Sequence, residues 1–200
     1  DGIKDPVGMQ GVRLEVDTQI VTGSTPNLRN VELVLEKCNL VLHNRIVPSV
    51  AAVEACLDRQ QKESGTAVVD IGAGTTSIAV IEEGEIQYVG VIPVGGQHIT
   101  NDLAIGLRTD LDIAEQVKVS HASLLPRKGH DPKQAAVAQG RQTHYFSHEE
   151  ISMIVGARVE EMMELIDGEL KRIQRSRKLP GGVVICGGTA KIHGLIERAR

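Results

Sequence analysis

The clearest hydrophobic pattern in the chain is Ala67-Val-Val-Asp-Ile-Gly-Ala-Gly-Thr-Thr-Ser-Ile-Ala-Val-Ile81, two apolar runs flanking a Gly-Thr turn. It predicts a strand, a tight turn and a returning strand. Ile86 to Val94, after the Glu82-Glu-Gly-Glu85 turn, reads as the next strand, and Val183 to Cys186 as a short buried one. Helical spacing recurs along the rest of the chain. Thr25-Pro-Asn-Leu28 reads as an N-cap with Pro at the first helical position, opening a helix to about Cys38 with Leu28, Val31, Leu35 and Cys38 on one stripe. Pro48 to about Lys62 carries an Ala/Val face, Ile99 to Leu107 is amphipathic, and Leu111 to Lys118 is helical. Ser147-His-Glu-Glu150 is a capping box for a helix running to roughly Arg177, with Ile151, Ile154, Val155, Val159, Met162, Met163, Ile166, Leu170 and Ile173 on its apolar face. Val12 to Val21 alternates with the period of a half-buried strand, and Leu40 to Val47 is a further strand candidate. From Ser120 to Ser147 the pattern is poor in apolar residues and suggests short strands joined by loops.

Composition sharpens this picture only in places. Two hundred residues, 41% of them hydrophobic, suffice for one sizeable domain or two small ones with a real core. A net charge of −4 with mixed signs leaves no nucleic-acid footprint, and the lack of Trp, with one Phe and two Tyr, argues against stacking on bases. Cys38, Cys56 and Cys186 are widely spaced in apolar contexts, so we expect reduced core thiols, neither a metal cluster nor a disulfide framework, and a cytoplasmic setting. No apolar run approaches the length of a membrane span. The start without Met and the stop inside a helical pattern at Arg200 predict a piece of a longer protein.

Candidate chemistry gathers at two glycine corners. Asp70 ends a run otherwise too apolar to face water, so its carboxylate needs a partner such as a hydrated cation. Gly72 and Gly74 let backbone approach something closely, and Thr75 and Thr76 add amides and hydroxyls that suit phosphate oxygens. This is a phosphate clip with a magnesium anchor, or else a plain β-hairpin with a Gly-rich turn. Gly187-Gly188-Thr189, where a strand turns into a helix, offers free N–H groups and a flat surface for a nucleotide. On spacing alone, Glu115 and Lys118 form a solvated i,i+3 ion pair, and Gly95-Gly96 is a turn. His144 and His148 are close in sequence but fall in different elements, which argues against a metal site.

Asp70-Ile-Gly-Ala-Gly-Thr-Thr76 resembles the second phosphate-binding hairpin of the actin-like ATPase superfamily, and Gly187-Gly-Thr-Ala-Lys-Ile-His-Gly194 its adenosine-binding corner. Within that superfamily, Ile3 to Val16, Ile20 to Gly23, Val91 to Ala104 and Ala114 to Lys118 resemble the FtsA family of bacterial cell-division proteins. The resemblance implies an α/β, ribonuclease H-like actin-type fold, partial, with a small inserted subdomain. Residues 1–47 would end the family's subdomain 1C, 48–65 form the connecting helix, 66–97 and 148–200 make subdomain 2A, and 98–147 the inserted subdomain 2B. It further implies ATP and magnesium as ligands. Asp70 would hold the metal through water, while Gly72, Gly74, Thr75 and Thr76 take the phosphates with Gly95 and Gly96 near the triphosphate. Glu115 and Lys118 would reach the ribose side, and Gly187, Gly188 and Thr189 the adenosine.

Val47 stands where actin and MreB carry a Gln or Glu that positions the attacking water, so the resemblance implies at most slow hydrolysis and no catalytic residue in this chain. The implied function is that of a cytoplasmic, filament-forming protein at the inner membrane of the division site that tethers FtsZ. Its partners would be the FtsZ C-terminal tail on subdomain 2B, further copies of itself, and the membrane through a C-terminal helix absent from this chain. A PilM-like pilus-assembly protein, or an active ATPase or sugar kinase of the superfamily, are the alternatives. Every version requires Gly72 and Gly188 to open onto one shared place.

Overall fold

A computed structural model describes residues 7–13, 15–16, 18–125, 134–140 and 142–199. The expected stretches around Ile3 to Asp5, Leu14, Arg127 to His130 and Arg141 touch residues outside that set. The chain divides into two compact units, residues 1–41 and 42–200.

Among its described residues the first unit contains one helix, α1 (Thr25–Lys37), whose N-cap is Ser24, one residue before the expected Thr25, with Pro26 in its first turn. No residue of α1 is buried, so the stripe of Leu28, Val31 and Leu35 has its helix but not its core. The strand expected over Val12 to Val21 is not formed: no strand occurs among the described residues there, and Val12, Val16, Ile20 and Val21 are exposed. Alternation says which face a strand would bury, not what would pair with it; a strand exists only with a ladder partner. The Leu40 to Val47 candidate, which straddles the two units, is likewise irregular.

The second unit is built on a four-stranded sheet in the order β3-β2-β1-β6. β1 (Thr66–Ile71), β2 (Thr76–Glu82) and β3 (Glu85–Ile92) form an antiparallel meander, and β6 (Val183–Cys186) joins β1 in parallel. Apolar side chains on both faces of β1 explain why its sequence lacks clean alternation. Ala67, Val69, Ile71, Ile78 and Val80 point into the main core, whereas Val68, Ala79 and Ile81 pack with Val53 and Leu57 on the other face.

That second face is covered by α2 (Pro48–Cys56) and followed by α3 (Arg59–Ser64). The single helix expected from Pro48 to Lys62 is thus broken at Leu57, which is extended (φ −107°, ψ 138°) and buried. Asp58 then restarts the helix: its carboxylate accepts from Gln61 N at 2.7 Å, while Gln61 Oε1 accepts from Asp58 N at 3.0 Å. The Asp-x-x-Gln cap was present in the sequence and outcompetes continuous helix.

On the main-core face lie α4 (Gly96–Gly106), α5 (Leu111–His121) and the long α6 (His148–Arg172), with a β4–β5 hairpin (Gln134–Gln139, Gln142–Ser147) beside α5. Ser147 Oγ accepts from Glu150 N at 3.4 Å, the expected cap of α6. The helix ends at Arg172, short of the expected Arg177. Gln174 and Arg177 take left-handed backbone (φ +61° and +56°), and Arg175 is drawn back to the sheet, donating to both carboxylate oxygens of Glu82 at 2.6 and 3.1 Å. The thiols also depart from expectation: all three cysteines are free, but Cys38 and Cys56 are exposed and Cys186 is only half-buried.

Candidate functional site

Three glycine-containing turns from distant parts of the second unit meet at the ends of β1 and β6. The first is the β1–β2 turn, closed by Gly72 N donating to Thr75 O at 3.0 Å. Its tip, Ala73 to Thr75, is exposed, and a Cβ on Gly74 would meet nothing within 4 Å. Thr76 behaves differently. It is 2% exposed, and its hydroxyl donates to Val94 O at 2.7 Å, pinning the end of β3 to the hairpin.

The second turn, Gly95-Gly96, lies beneath the first as its seat. Gly96 N donates to Gly72 O at 2.9 Å and Gln97 N to Ala73 O at 2.8 Å, while Gly95 N donates to His98 Nδ1 at 3.1 Å. The first N–H groups of α4 are therefore spent on the hairpin, with a side chain capping from the third helical position. A Cβ on Gly95 would stand 2.6 Å from the carbonyl oxygens of both Gly72 and Ala73, so only glycine lets the two turns touch. Sequence reasoning passed over His98, although a His three residues into a Gly-started helix is a recognisable cap signal.

The third turn is the Gly187-Gly188-Thr189 corner. Thr189 is buried, and its hydroxyl donates to Gly72 O at 3.2 Å, joining this corner directly to the hairpin. Gly187 lies against Asp70 with φ +91°: a Cβ there would stand 2.5 Å from Asp70 Oδ1. Gly188 faces open space. The two corners singled out in the sequence are thus in direct contact through Thr189 and Gly72.

Asp70 is opposite Cys186 in the parallel register, on the face that α2 covers. Among the described residues no hydrogen bond or ion pair is made to its carboxylate. Magnesium commonly keeps most of its waters and uses one carboxylate with substrate phosphates, so this single donor beside two open glycine turns fits such an ion. Burial first, then the Asp70 charge and the neighbouring Cys56 thiol, pushes the Cys186 thiol up to about 11.

Glu115 and Lys118 reach the same cluster from α5. Lys118 Nζ donates to Gly96 O (3.1 Å), Thr100 Oγ1 (2.8 Å) and Glu115 Oε2 (2.6 Å). An ammonium has three N–H groups, so its donors are all taken, and at 14% side-chain exposure it acts as a post between α5 and the Gly96 seat. Glu115 is half exposed and keeps Oε1 open, a suitable acceptor for a ligand hydroxyl. Burial pushes its carboxyl up, but the bonds from Lys118 and Thr100 and the Lys118 charge outweigh burial and hold it below its ordinary 4.5. That contribution to stability is complete above 4.5 and is lost as pH falls through the lower folded value. Lys118→Met should cost about 1–2 kcal/mol in urea unfolding near neutral pH, with the exposed side of the pair discounted. The gap to the unmutated protein should narrow at acid pH; a pH-independent gap would show that the pair contributes nothing through charge.

Solved structures place this architecture in a class. The chain is similar to the ethanolamine utilization protein EutJ of Carboxydothermus hydrogenoformans (29% identity, TM-score 0.61, covering 84% of this chain and 50% of that one). It is also similar to MreB5 of Spiroplasma citri bound to ADP (22% identity, TM-score 0.65, covering 86% and 56%), a likeness that bears on the fold alone. The fold is that of an actin-like ATPase.

The family is narrower. The family model described as cell division protein FtsA matches residues 67–200, and that of the SHS2 domain inserted in FtsA matches residues 1–22. Cell division protein FtsA of Pseudomonas aeruginosa is 35% identical, covering 100% of this chain and 48% of the relative. That of Bacillus subtilis is 37% identical, covering 100% and 46%. The chain belongs to the FtsA family of cell-division proteins, and it spans about half the length of the curated relatives it matches.

Proposed function

We propose that this chain carries one wall of an ATP site in a division protein that uses nucleotide as a conformational ligand more than as a fuel. The observation that carries the reading is the junction of hairpin, seat and corner through Gly72 O, which receives both Gly96 N and Thr189 Oγ1. Asp70 would hold a magnesium ion through water, and the ion would supply positive charge to offset that of the phosphates. Gly72, Gly74 and Thr75 present backbone to the phosphates. Thr76, Gly95 and Gly96 hold that backbone in place. Glu115 accepts from the ribose side, Lys118 fixes Glu115, and the adenosine lies along Gly187 and Gly188 above the Thr189 anchor. Solved MreB5 relatives bound to ADP and to AMPPNP support a nucleotide in this fold.

Val47 immediately precedes α2 in extended backbone (φ −71°, ψ 133°). Its side chain can neither orient nor deprotonate water, which supports slow hydrolysis. In the whole protein, bound ATP closes the two lobes and favours head-to-tail filaments that tether FtsZ to the cytoplasmic face of the inner membrane. Among the described residues no helix is long and apolar enough to cross a membrane, so attachment would come from elsewhere. The FtsZ tail would dock on subdomain 2B, residues 98–147.

Calorimetric titration of ATP into the full-length protein, with magnesium or with chelator, tests the site. Asp70→Ala should weaken binding roughly tenfold or more with magnesium and change little with chelator. Equal affinities with magnesium would remove the metal anchor from the reading. The protein should also retain an FtsZ tail peptide in a pull-down; retention of a pilus-assembly partner instead, as in the solved PilM–PilN complex, would move the chain to the alternative.

A further inference from the structure

Thr100 lies one helical turn beyond Gly96 in α4 and is buried, at 4% exposure. Its hydroxyl stands 3.3 Å from Gly96 O in the seat and 2.5 Å from Glu115 Oε2 on α5, and it accepts from Lys118 Nζ at 2.8 Å. A hydroxyl has one proton to give. Of the two acceptors within reach, the closer and charged Glu115 carboxylate takes it, while Lys118 Nζ donates to Gly96 O at 3.1 Å. Glu115 Oε2 therefore receives two donors, Thr100 from α4 and Lys118 from its own helix.

The two donors do different things. Lys118 sits three residues along α5 on a long, flexible stem, so its ammonium can follow the carboxylate. The Thr100 hydroxyl hangs on a stiff, β-branched carbon inside a buried helical turn, so its place is set by the backbone that begins at Gly96. Ala114 and Val117, both 0% exposed, fix the α5 backbone on either side of Glu115. We propose that Thr100 is a positioning residue that aims the open Glu115 Oε1 at a ribose hydroxyl, so that the sugar is read in register with the seat beneath the phosphates. A carboxylate placed to accept from a ribose hydroxyl disfavours the analogue lacking it, because its acceptor is then left unmatched. Thr100 thereby makes the site selective for ribonucleotides over deoxyribonucleotides.

The sugar role rests on the nucleotide reading above; the hold of Thr100 on Glu115 does not. Burial pushes the Glu115 carboxyl up, yet the bonds from Lys118 and Thr100 keep it below its ordinary value, so loss of the Thr100 hydroxyl is read directly as a rise of that carboxyl. The test titrates ATP, 2′-deoxy-ATP and 3′-deoxy-ATP with magnesium into the full-length protein, unmutated and as Thr100→Val and Thr100→Ser. Carbon-13 NMR follows the Glu115 carboxyl against pH in the same three proteins. The unmutated protein should prefer ATP roughly tenfold over at least one analogue. Thr100→Val should weaken ATP, leave that analogue unchanged and so erase the preference, whereas Thr100→Ser should keep it. The Glu115 midpoint should rise in Thr100→Val and return in Thr100→Ser. Thr100→Ala repeats the comparison should valine prevent folding. Equal weakening of ATP and both analogues, a preference that survives without the hydroxyl, or no preference in the unmutated protein overturns the sugar role. An unchanged Glu115 midpoint overturns the positioning contact. If the unmutated protein binds no ATP, the nucleotide reading fails, and the carboxyl titration still decides whether Thr100 holds Glu115.

Discussion

Gly187→Ala should lower the unfolding free energy by about 3 kcal/mol or more, one of the largest losses expected from a single methyl group in this chain. The added Cβ would stand 2.5 Å from both Asp70 Oδ1 and Ile71 O, and 2.8 Å from Ile71 C. Two of those atoms are backbone of Ile71, the last residue of β1 and next to the final β1–β6 pair at Asp70, and cannot step aside; φ +91° is itself costly for an L residue. Urea denaturation measures the loss, with Gly188→Ala as the neighbouring control. Gly188 has helical backbone (φ −64°, ψ −38°) and open space around its Cβ position, so alanine should fold with near-normal stability. The proposed adenosine position predicts that Gly188→Ala nevertheless weakens ATP binding. Normal stability in Gly187→Ala would mean that the corner and β1 are not packed together as described.

Leu103→Ala should cost about 3 kcal/mol, with a range of about 2–5 for a fully buried leucine. Leu103 is 0% exposed in the cluster with Ile99, Ile151 and Val155, where α4 meets α6. Its removal leaves a cavity between a long helix and the helix that begins with the Gly96 seat. Ile105, two residues on, is 77% exposed, and Ile105→Ala should stay within about 0.5 kcal/mol. Thermal unfolding of the two variants separates packing from the general effect of shortening a side chain. Equal losses would place the core elsewhere.

The elements that were legible in the sequence are those whose signals are local. The Ala67 to Ile81 hairpin announces itself through apolar runs on either side of a Gly turn, and the start of α6 through Ser147 and its following acids. The break at Leu57 is also local: the Asp58–Gln61 cap sets it, although the Ala/Val face runs on through α2 as if the helix continued. What stayed hidden depends on partners distant in the chain. Thr76 and Lys118 read as ligand contacts, yet their polar atoms are satisfied by Val94 O, Gly96 O and Thr100 Oγ1. The end of α6 is set by Glu82, and Cys186 stands beside Asp70 only because β6 lies next to β1. The alternating segment near the N-terminus shows the converse failure: a correct period without a neighbour makes no sheet.

Because β6 is the last strand to emerge yet lies directly against the first, the order of assembly is constrained. The β1–β2–β3 meander closes short loops and can form early, whereas docking of β6 must bring in a strand from the far end of the unit at a much larger entropic cost. A growing chain therefore brings these four strands together only after Cys186 has been made, and until then Asp70 has no Gly187 beside it. The corner proposed to hold the nucleotide therefore forms only once β6 has docked.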